Sequence, residues 1–265
     1  MTKDFKQIRV SSSLEHFKEG IKKKWDLNDY YDHKSPAIFF GIYNDLDLTN
    51  ILNHDSYAII IFGGNDLNSE RILKIFNSKN KNRIFTFGYA WLNHFFQKYK
   101  IPYKEMILPI KDFSNLNPTK LGKNIYVYLG QPNNRRYNYF KFDEIIIPLI
   151  DNFGEKRVIW VKENYPISYK KLIKNYYNNS FVFIKPNERG GSTTMWELAH
   201  MGRKTIAQNQ GGAPNVIEYK NLNHLIDLTY EESEKIGTIQ EKVYSDIKNI
   251  FQESSNWLNL KFWLK

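Results

Sequence analysis

The chain has 265 residues, 42% of them hydrophobic, enough apolar material for one substantial core or two small ones. Zero cysteines exclude disulfides and thiolate metal sites, and the six histidines (His16, His33, His54, His94, His200, His224) are scattered rather than set at ligand spacing, so neither a metal nor a resident cofactor is expected. No apolar run approaches the roughly 18 residues of a spanning helix, and the opening "MTKDFKQIRVSSSLEHF" lacks the apolar core of a signal peptide, so a cytoplasmic protein without a transmembrane segment is expected. The net charge of +10 admits two readings. One is a polyanionic partner such as nucleic acid. The other is the enrichment in Lys, Asn and Ile that an AT-rich genome produces, and it is preferred because the basic residues are spread along the chain apart from "KKK" at 22 to 24.

In chain order, residues 1 to 33 are polar, aromatic and weakly periodic, and read as a helix and a loop ahead of the first strand. Four short apolar runs follow, "AIFFGIY" (37 to 43), "YAIIIFGG" (57 to 64), "NRIFTFGY" (82 to 89) and "KEMILPI" (104 to 110), with the look of strands buried on both faces. Between them "NDLDLTNILNH", "NDLNSERILKIFNSKN" and "AWLNHFFQKYK" carry apolar residues at helical spacing. Alternating strand and helix predicts a parallel sheet with right-handed crossovers. The polar segment "KDFSNLNPTKLGKN" (111 to 124) reads as a linker. The alternation then restarts: strands at 124 to 130, 157 to 163, 180 to 186 and 204 to 209, with helices around "FKFDEIIIPLIDNF", "SYKKLIKNYY" and "STTMWELAHM". A new helix is expected from Pro214, then a short "HLIDL" (224 to 228) and a long helix from about 230 to 254. The fold class is α/β with two Rossmann-like domains, residues 1–115 and 116–265, facing each other across a cleft.

In parallel sheets, ligands lie beyond the carboxyl ends of the strands, where loops run into helix N-termini. The strand "SFVFIKP" runs into Gly190 and Gly191, with Ser192 as a cap for a helix opening at Thr193. That geometry presents free N–H groups to an anion such as a phosphate. Glu197, flanked by Met195, Trp196, Leu198 and Met201, lies on an apolar face and needs a donor: a ligand hydroxyl, or Arg203 or Lys204. The next strand ends at Asn209 and a second glycine pair, Gly211 and Gly212. Gly130 opens the loop "GQPNNRRY", whose Arg135 and Arg136, with Lys162 and Lys185 at two other strand ends, are candidates to neutralise a diphosphate. In the first half, Asp66 after "FGGN" is either a general base for an acceptor hydroxyl or a helix N-cap, the cap being preferred. "DLD" (45 to 47) reads as capping acids, and His94 as packing.

The order "P-x-E-x-G-G-S-T-T-x-x-E-x-x-x-x-G", then "T-I-A", then "G-G-x-P-x-x-I", resembles the donor-binding C-terminal half of GT-B glycosyltransferases, particularly the glycosyltransferase 4-like group with its "LEAMA-x-G-x-P-V-I" and "GG-x-P-E" segments. The resemblance is close over about 40 residues around these motifs and loose over the rest of the C-terminal half, and the N-terminal half matches only in architecture. It implies a hexosyltransferase-type enzyme that moves a sugar from a nucleoside diphosphate sugar to a hydroxyl acceptor, a glycan, a lipid or another molecule, without a metal. By the resemblance Glu197 holds the ribose, Gly190 to Thr193 lie by the diphosphate and sugar, and Gly211 and Gly212 follow the next strand. The family's first acid would fall at Arg189, and Glu188, one residue earlier, takes the role of holding the sugar hydroxyls and acting in catalysis. Two alternatives stand beside this reading: a nucleic-acid-binding Rossmann-like protein or DNA-modifying glycosyltransferase, and a nucleotide-sugar epimerase-like enzyme.

Overall fold

The computed structural model describes residues 4–62, 66–87, 93–105, 113–129, 141–161, 167–186, 193–208, 215–253 and 256–264. The chain divides into two compact units, Met1–Asp112 with Ile250–Lys265, and Phe113–Asn249. The sequence reading placed 250–265 with the second domain. Trp257, Leu258 and Trp263 instead pack into a core with Phe5, Ile8 and Ile21 of the first unit, and the Leu258 carbonyl accepts from the Asp4 and Phe5 amides at 3.1 and 3.2 Å.

The described strands of the first unit are β1 (Gln7–Val10), β2 (Asn28–Asp29), β3 (Ala37–Phe40), β4 (Ala58–Ile61), β5 (Arg83–Phe87) and β6 (Tyr103–Glu105), all parallel, in the order β2-β1-β3-β4-β5-β6. Helices α1 (Lys18–Trp25), α2 (Asp45–Leu52), α3 (Ser69–Phe76) and α4 (Asn93–Lys98) connect them. Alternation along the strands sorts the core into two faces. Ile8, Val10, Ile38, Phe40, Ile59 and Ile61 pack with α1 and the C-terminal tryptophans, while Ala37, Phe39, Ala58, Ile60, Phe85 and Phe87 pack with α2, α3 and Phe96. The helix and loop expected over 1 to 33 miss β1 and β2. "QIRV" is four residues long and carries Gln7 and Arg9 on one face, so no apolar run announces it. Gln7 is nonetheless buried because its amide ties down the loop after β2, donating to the Asp32 and Ser35 carbonyls and accepting from the Tyr31 and Asp32 amides.

In the second unit β7 (Asn124–Val127), β8 (Val158–Ile159), β9 (Ser180–Lys185), β10 (Lys204–Ala207) and β11 (Val216–Glu218) form a parallel sheet in the order β11-β10-β9-β7-β8. Ile125, Val127, Val182, Ile184 and Ile206 pack against α5 (Ile147–Phe153), which follows a π turn over Phe142–Ile146, and against α8 (Leu222–Ser233). On the opposite face Tyr126 stacks on Phe183 at 5.4 Å and meets Tyr177, which ends the α6 segment (Tyr169–Leu172, continued by a π turn over Ile173–Tyr177). The remaining helices are α7 (Thr193–His200), α9 (Glu241–Glu253) and, in the tail, α10 (Leu260–Trp263).

Three expectations are corrected here. The helix after Pro214 is strand β11, which extends the sheet by pairing Val216 with Thr205. "HLIDL" lies inside α8, and the single long helix is two, broken at Gly237, whose φ is +83°. The described part of the linker is packed into the second unit: Phe113 stacks on His200 at 4.6 Å, Leu121 is in the core, and Gly122 lies so close to the Asn179 backbone that a Cβ there would come within 2.2 Å of it.

Candidate functional site

In each parallel sheet the strand order reverses once, between β1 and β3 in the first and between β7 and β9 in the second, and parallel sheets bind ligands outside the carboxyl ends of the strands at such a switch point. In the second unit the edge is formed by the end of β9 and the start of α7. Alternation puts Lys185 on the same face as Phe183 and Tyr126, the face that carries Glu197. Lys185 is only 4% exposed, and burial lowers its ammonium pKa from 10.5 to about 8. A buried cation at a strand end is suited to a ligand with compensating negative charge.

Glu197 is 3% exposed on the second turn of α7, among Met195, Trp196, Leu198 and Ala199. Its Oε2 accepts a 2.6 Å hydrogen bond from the Tyr177 hydroxyl, which lies 3.5 Å from that of Thr194. The charge of the same carboxylate is also felt at the Tyr169 phenol. Burial first, and the Glu197 charge second, push both phenols above their ordinary range. Neither basic residue expected from the sequence reaches Glu197. Arg203 is fully buried and donates to the backbone carbonyls of Ser180, Thr119, Lys120 and Met201, pinning the segment before β7, while Lys204 lies 3.5 Å from Glu232.

The edge of the first unit is dressed in carboxylates. Asp47, in the first turn of α2, accepts at Oδ2 from the Ser11 hydroxyl (2.7 Å) and from the Tyr43 and Asn44 amides (3.1 and 3.3 Å), and Asn44 caps the Asp47 amide in return. Asp66 accepts from the Ile42 amide at 3.1 Å. Three successive amides of the loop after β3 are thus held by two buried aspartates. Gly41 enters that loop at φ +86°, and a Cβ there would meet Leu14 and Tyr43 at 2.9 Å. Arg9 approaches Asp47 Oδ1 at 3.9 Å.

No protein-family model matches the sequence, and no curated protein does either. Solved structures do match. A lipopolysaccharide outer core galactosyltransferase, WaaB in its apo form, is 11% identical with a TM-score of 0.52, the match covering 85% of this chain and 75% of that one. A DNA-modifying β-glucosyltransferase, studied with and without its substrate uridine diphosphoglucose, is 11% identical with a TM-score of 0.54, over 97% of this chain and 98% of that one. The T4 phage enzyme BGT, in complex with its UDP-glucose substrate, is 10% identical with a TM-score of 0.52 over 97% of each chain. The fold is that of the GT-B glycosyltransferases.

Of the residues that the GT-B resemblance and the strand-end reading single out, the structure places Lys185 as the last residue of β9, Thr193 as the first residue of α7 and Glu197 on its second turn. Gly130, Arg135, Arg136, Lys162, Glu188, Arg189, Gly190, Gly191, Ser192, Asn209, Gly211 and Gly212 lie outside the described residues. Asp66 is not the cap of α3. Asn68 is, its side chain accepting from the Arg71 amide at 3.0 Å. "DLD" does supply the capping box of α2, as read. Sequence reasoning missed Ser11, Tyr169 and Tyr177. Ser11 was legible only through β1, which ends one residue before it, and the tyrosines carried no motif. Among the described residues no group of three or more His, Asp or Glu is placed to hold a metal ion, and no helix is long and apolar enough to cross a membrane.

Proposed function

We propose that this chain is a glycosyltransferase that binds a nucleoside diphosphate sugar at the carboxyl edge of the second sheet and transfers the sugar to a hydroxyl acceptor without a metal. The observation that carries the proposal is the burial of a lysine at the end of β9 and of a glutamate on α7, Lys185 and Glu197, on one face of the sheet whose strand order reverses at β9 in a GT-B fold. Lys185 stabilises the diphosphate, whose charge grows as the sugar leaves. Glu197, oriented by Tyr177, accepts from the ribose hydroxyls. On this reading the loop residues Arg135, Arg136 and Lys162 add charge to the donor site and Glu188 meets the sugar.

Glu197→Gln tests it. The amide keeps an oxygen for Tyr177 but turns the other acceptor into a donor, so nucleotide affinity falls by about 1.5–3 kcal/mol, with a smaller loss for a 2′-deoxy nucleotide. A chelator leaves the binding unchanged. A variant that melts early yet binds nucleotide as well as the parent would mean that Glu197 only anchors Tyr177.

A DNA acceptor is the second reading. It is favoured by the net charge of +10 and by the match to a DNA-modifying enzyme over nearly the whole of both chains. Lys and Arg number 19 against 14 Asp and Glu in each unit, so the excess singles out neither unit. Incubation with UDP-glucose and either duplex DNA or a lipid-linked glycan separates the readings. Transfer to DNA that weakens steeply with salt supports the second.

A further inference from the structure

In the first unit a cavity of about 350 Å³ opens between the loop after β2 and the last turn of α2, lined by Tyr30, Tyr31, His33, Asn50 and Asn53. It lies at the end of α2 opposite the Asp47 capping box. The loop is rigidly placed, because the buried Gln7 amide donates to the Asp32 and Ser35 carbonyls and accepts from the Tyr31 and Asp32 amides. Tyr30 is fixed as well, with ring centroids 5.2 Å from Phe39 and 5.7 Å from His54, and its hydroxyl 3.2 Å from His54 Nδ1. The other ring nitrogen, Nε2, lies 3.2 Å from the Tyr57 carbonyl, which can only accept, so Nε2 carries the proton. Burial lowers the His54 pKa and keeps the ring neutral, which leaves Nδ1 to accept from the Tyr30 hydroxyl. Tyr30 therefore spends its proton inward.

The remaining groups face outward. Tyr31 is 68% exposed, Asn50 uses one N–H on the Leu46 carbonyl at 2.6 Å and keeps its carbonyl oxygen, and Asn53 makes no side-chain hydrogen bond among the described residues. A carboxamide both donates and accepts, as a sugar hydroxyl does, and the face of an aromatic ring suits the C–H face of a pyranose. Charge argues the same way. No Lys, Arg, Asp or Glu lines the cavity, and the carbonyls that end α2 carry the negative pole of its dipole, which disfavours an anion. A nucleobase is the other planar-faced candidate, but it gains most between two open rings, and here Tyr30 is already engaged by Phe39 and His54.

We propose that this cavity is a binding site for a neutral sugar unit, stacked on Tyr31 and hydrogen-bonded by Asn50 and Asn53. The volume is within the range of small-molecule sites. The site uses none of the residues of the donor reading and does not rest on it.

The test is titration of the full chain with maltose, cellobiose and lactose, followed through its backbone amide signals by NMR, with uridine and inorganic phosphate as controls. At least one disaccharide is expected to bind and to shift the signals of Tyr31, His33, Asn50 and Asn53. Tyr31→Ala is expected to weaken that binding about tenfold, Tyr31→Phe to leave it nearly unchanged, and Asn53→Ala to weaken it about fivefold. Both tyrosine variants keep the parent's melting temperature, because the side chain is exposed. Failure of all three disaccharides to bind the folded parent overturns the proposal. So does binding that survives both Tyr31→Ala and Asn53→Ala at full strength, or shifts of these signals by uridine or phosphate and by no disaccharide.

Discussion

The strand order of the first and second sheets reverses in the same way, and their carboxyl edges carry opposite chemistry. At the first edge, three consecutive amides, Ile42, Tyr43 and Asn44, are already occupied by Asp66 and Asp47, and Ser11 completes the set. The capacity of such a loop to bind an anion is consumed internally. At the second edge the buried charge at the end of β9 is a cation, Lys185, and the carboxylate on the same face is held by a phenol, Tyr177. A shared topology thus places two similar strand ends, and under the proposed function a few buried charges assign the phosphate to the second edge.

The largest effect expected from this contrast is on stability. Asp47→Ala leaves the Ser11 hydroxyl and two amides without their acceptor and removes half of the α2 capping box, so it costs about 3–4 kcal/mol. Nucleotide affinity is unchanged. Urea denaturation with nucleotide titration checks both, and a variant that stays stable but loses nucleotide would dissolve the division between a structural and a binding edge.

Next in size, Lys185→Met replaces a buried ammonium with an apolar chain of similar length. It lowers nucleoside diphosphate affinity by about 2–3 kcal/mol, a charged hydrogen bond's worth, and leaves melting temperature equal or higher at pH 7. Equal affinity in parent and variant would leave the second edge with no cation for the diphosphate.

The third effect is on pH dependence. Folding lowers the Lys185 pKa from 10.5 to about 8, so between those values the unfolded chain binds the extra proton and stability rises with pH. The contribution is about 2 kcal/mol between pH 8 and 10, absent in Lys185→Met, and it is read by comparing the denaturation midpoints of the two proteins across that range. A parent and variant with parallel pH profiles would show that burial leaves Lys185 unperturbed.

Much of the architecture was legible because Ile- and Phe-rich runs such as "AIIIF" and "SFVFIK" are buried on both faces and read as strands without ambiguity. Strand β1 escaped because its identity depends on Gln7, a polar residue whose burial is justified only by partners some 25 residues away. The alternation after residue 210 misled for a related reason: a proline before a helix and a proline before an edge strand look alike until the neighbouring strand is known. At the site, Glu197 was found through its setting on an apolar helix face, but its partner was not. The reading looked for a ligand hydroxyl or for opposite charge nearby in sequence, whereas the structure gives the carboxylate a phenol, Tyr177, from the segment before β9. Hydroxyl donors satisfy a buried acid without a second buried charge, and no local pattern distinguishes them from core tyrosines.

The claim that the second edge receives a nucleoside diphosphate is tested most directly by the proton balance of binding. With a pKa of about 8, the Lys185 ammonium is half deprotonated at pH 8, and a bound diphosphate restores the charge. Titrating the preferred nucleotide into the protein at pH 8, in two buffers of different ionisation enthalpy, is expected to show uptake of about half a proton in the parent and none in Lys185→Met. Binding with no proton uptake, or with the same uptake in both proteins, would contradict the account.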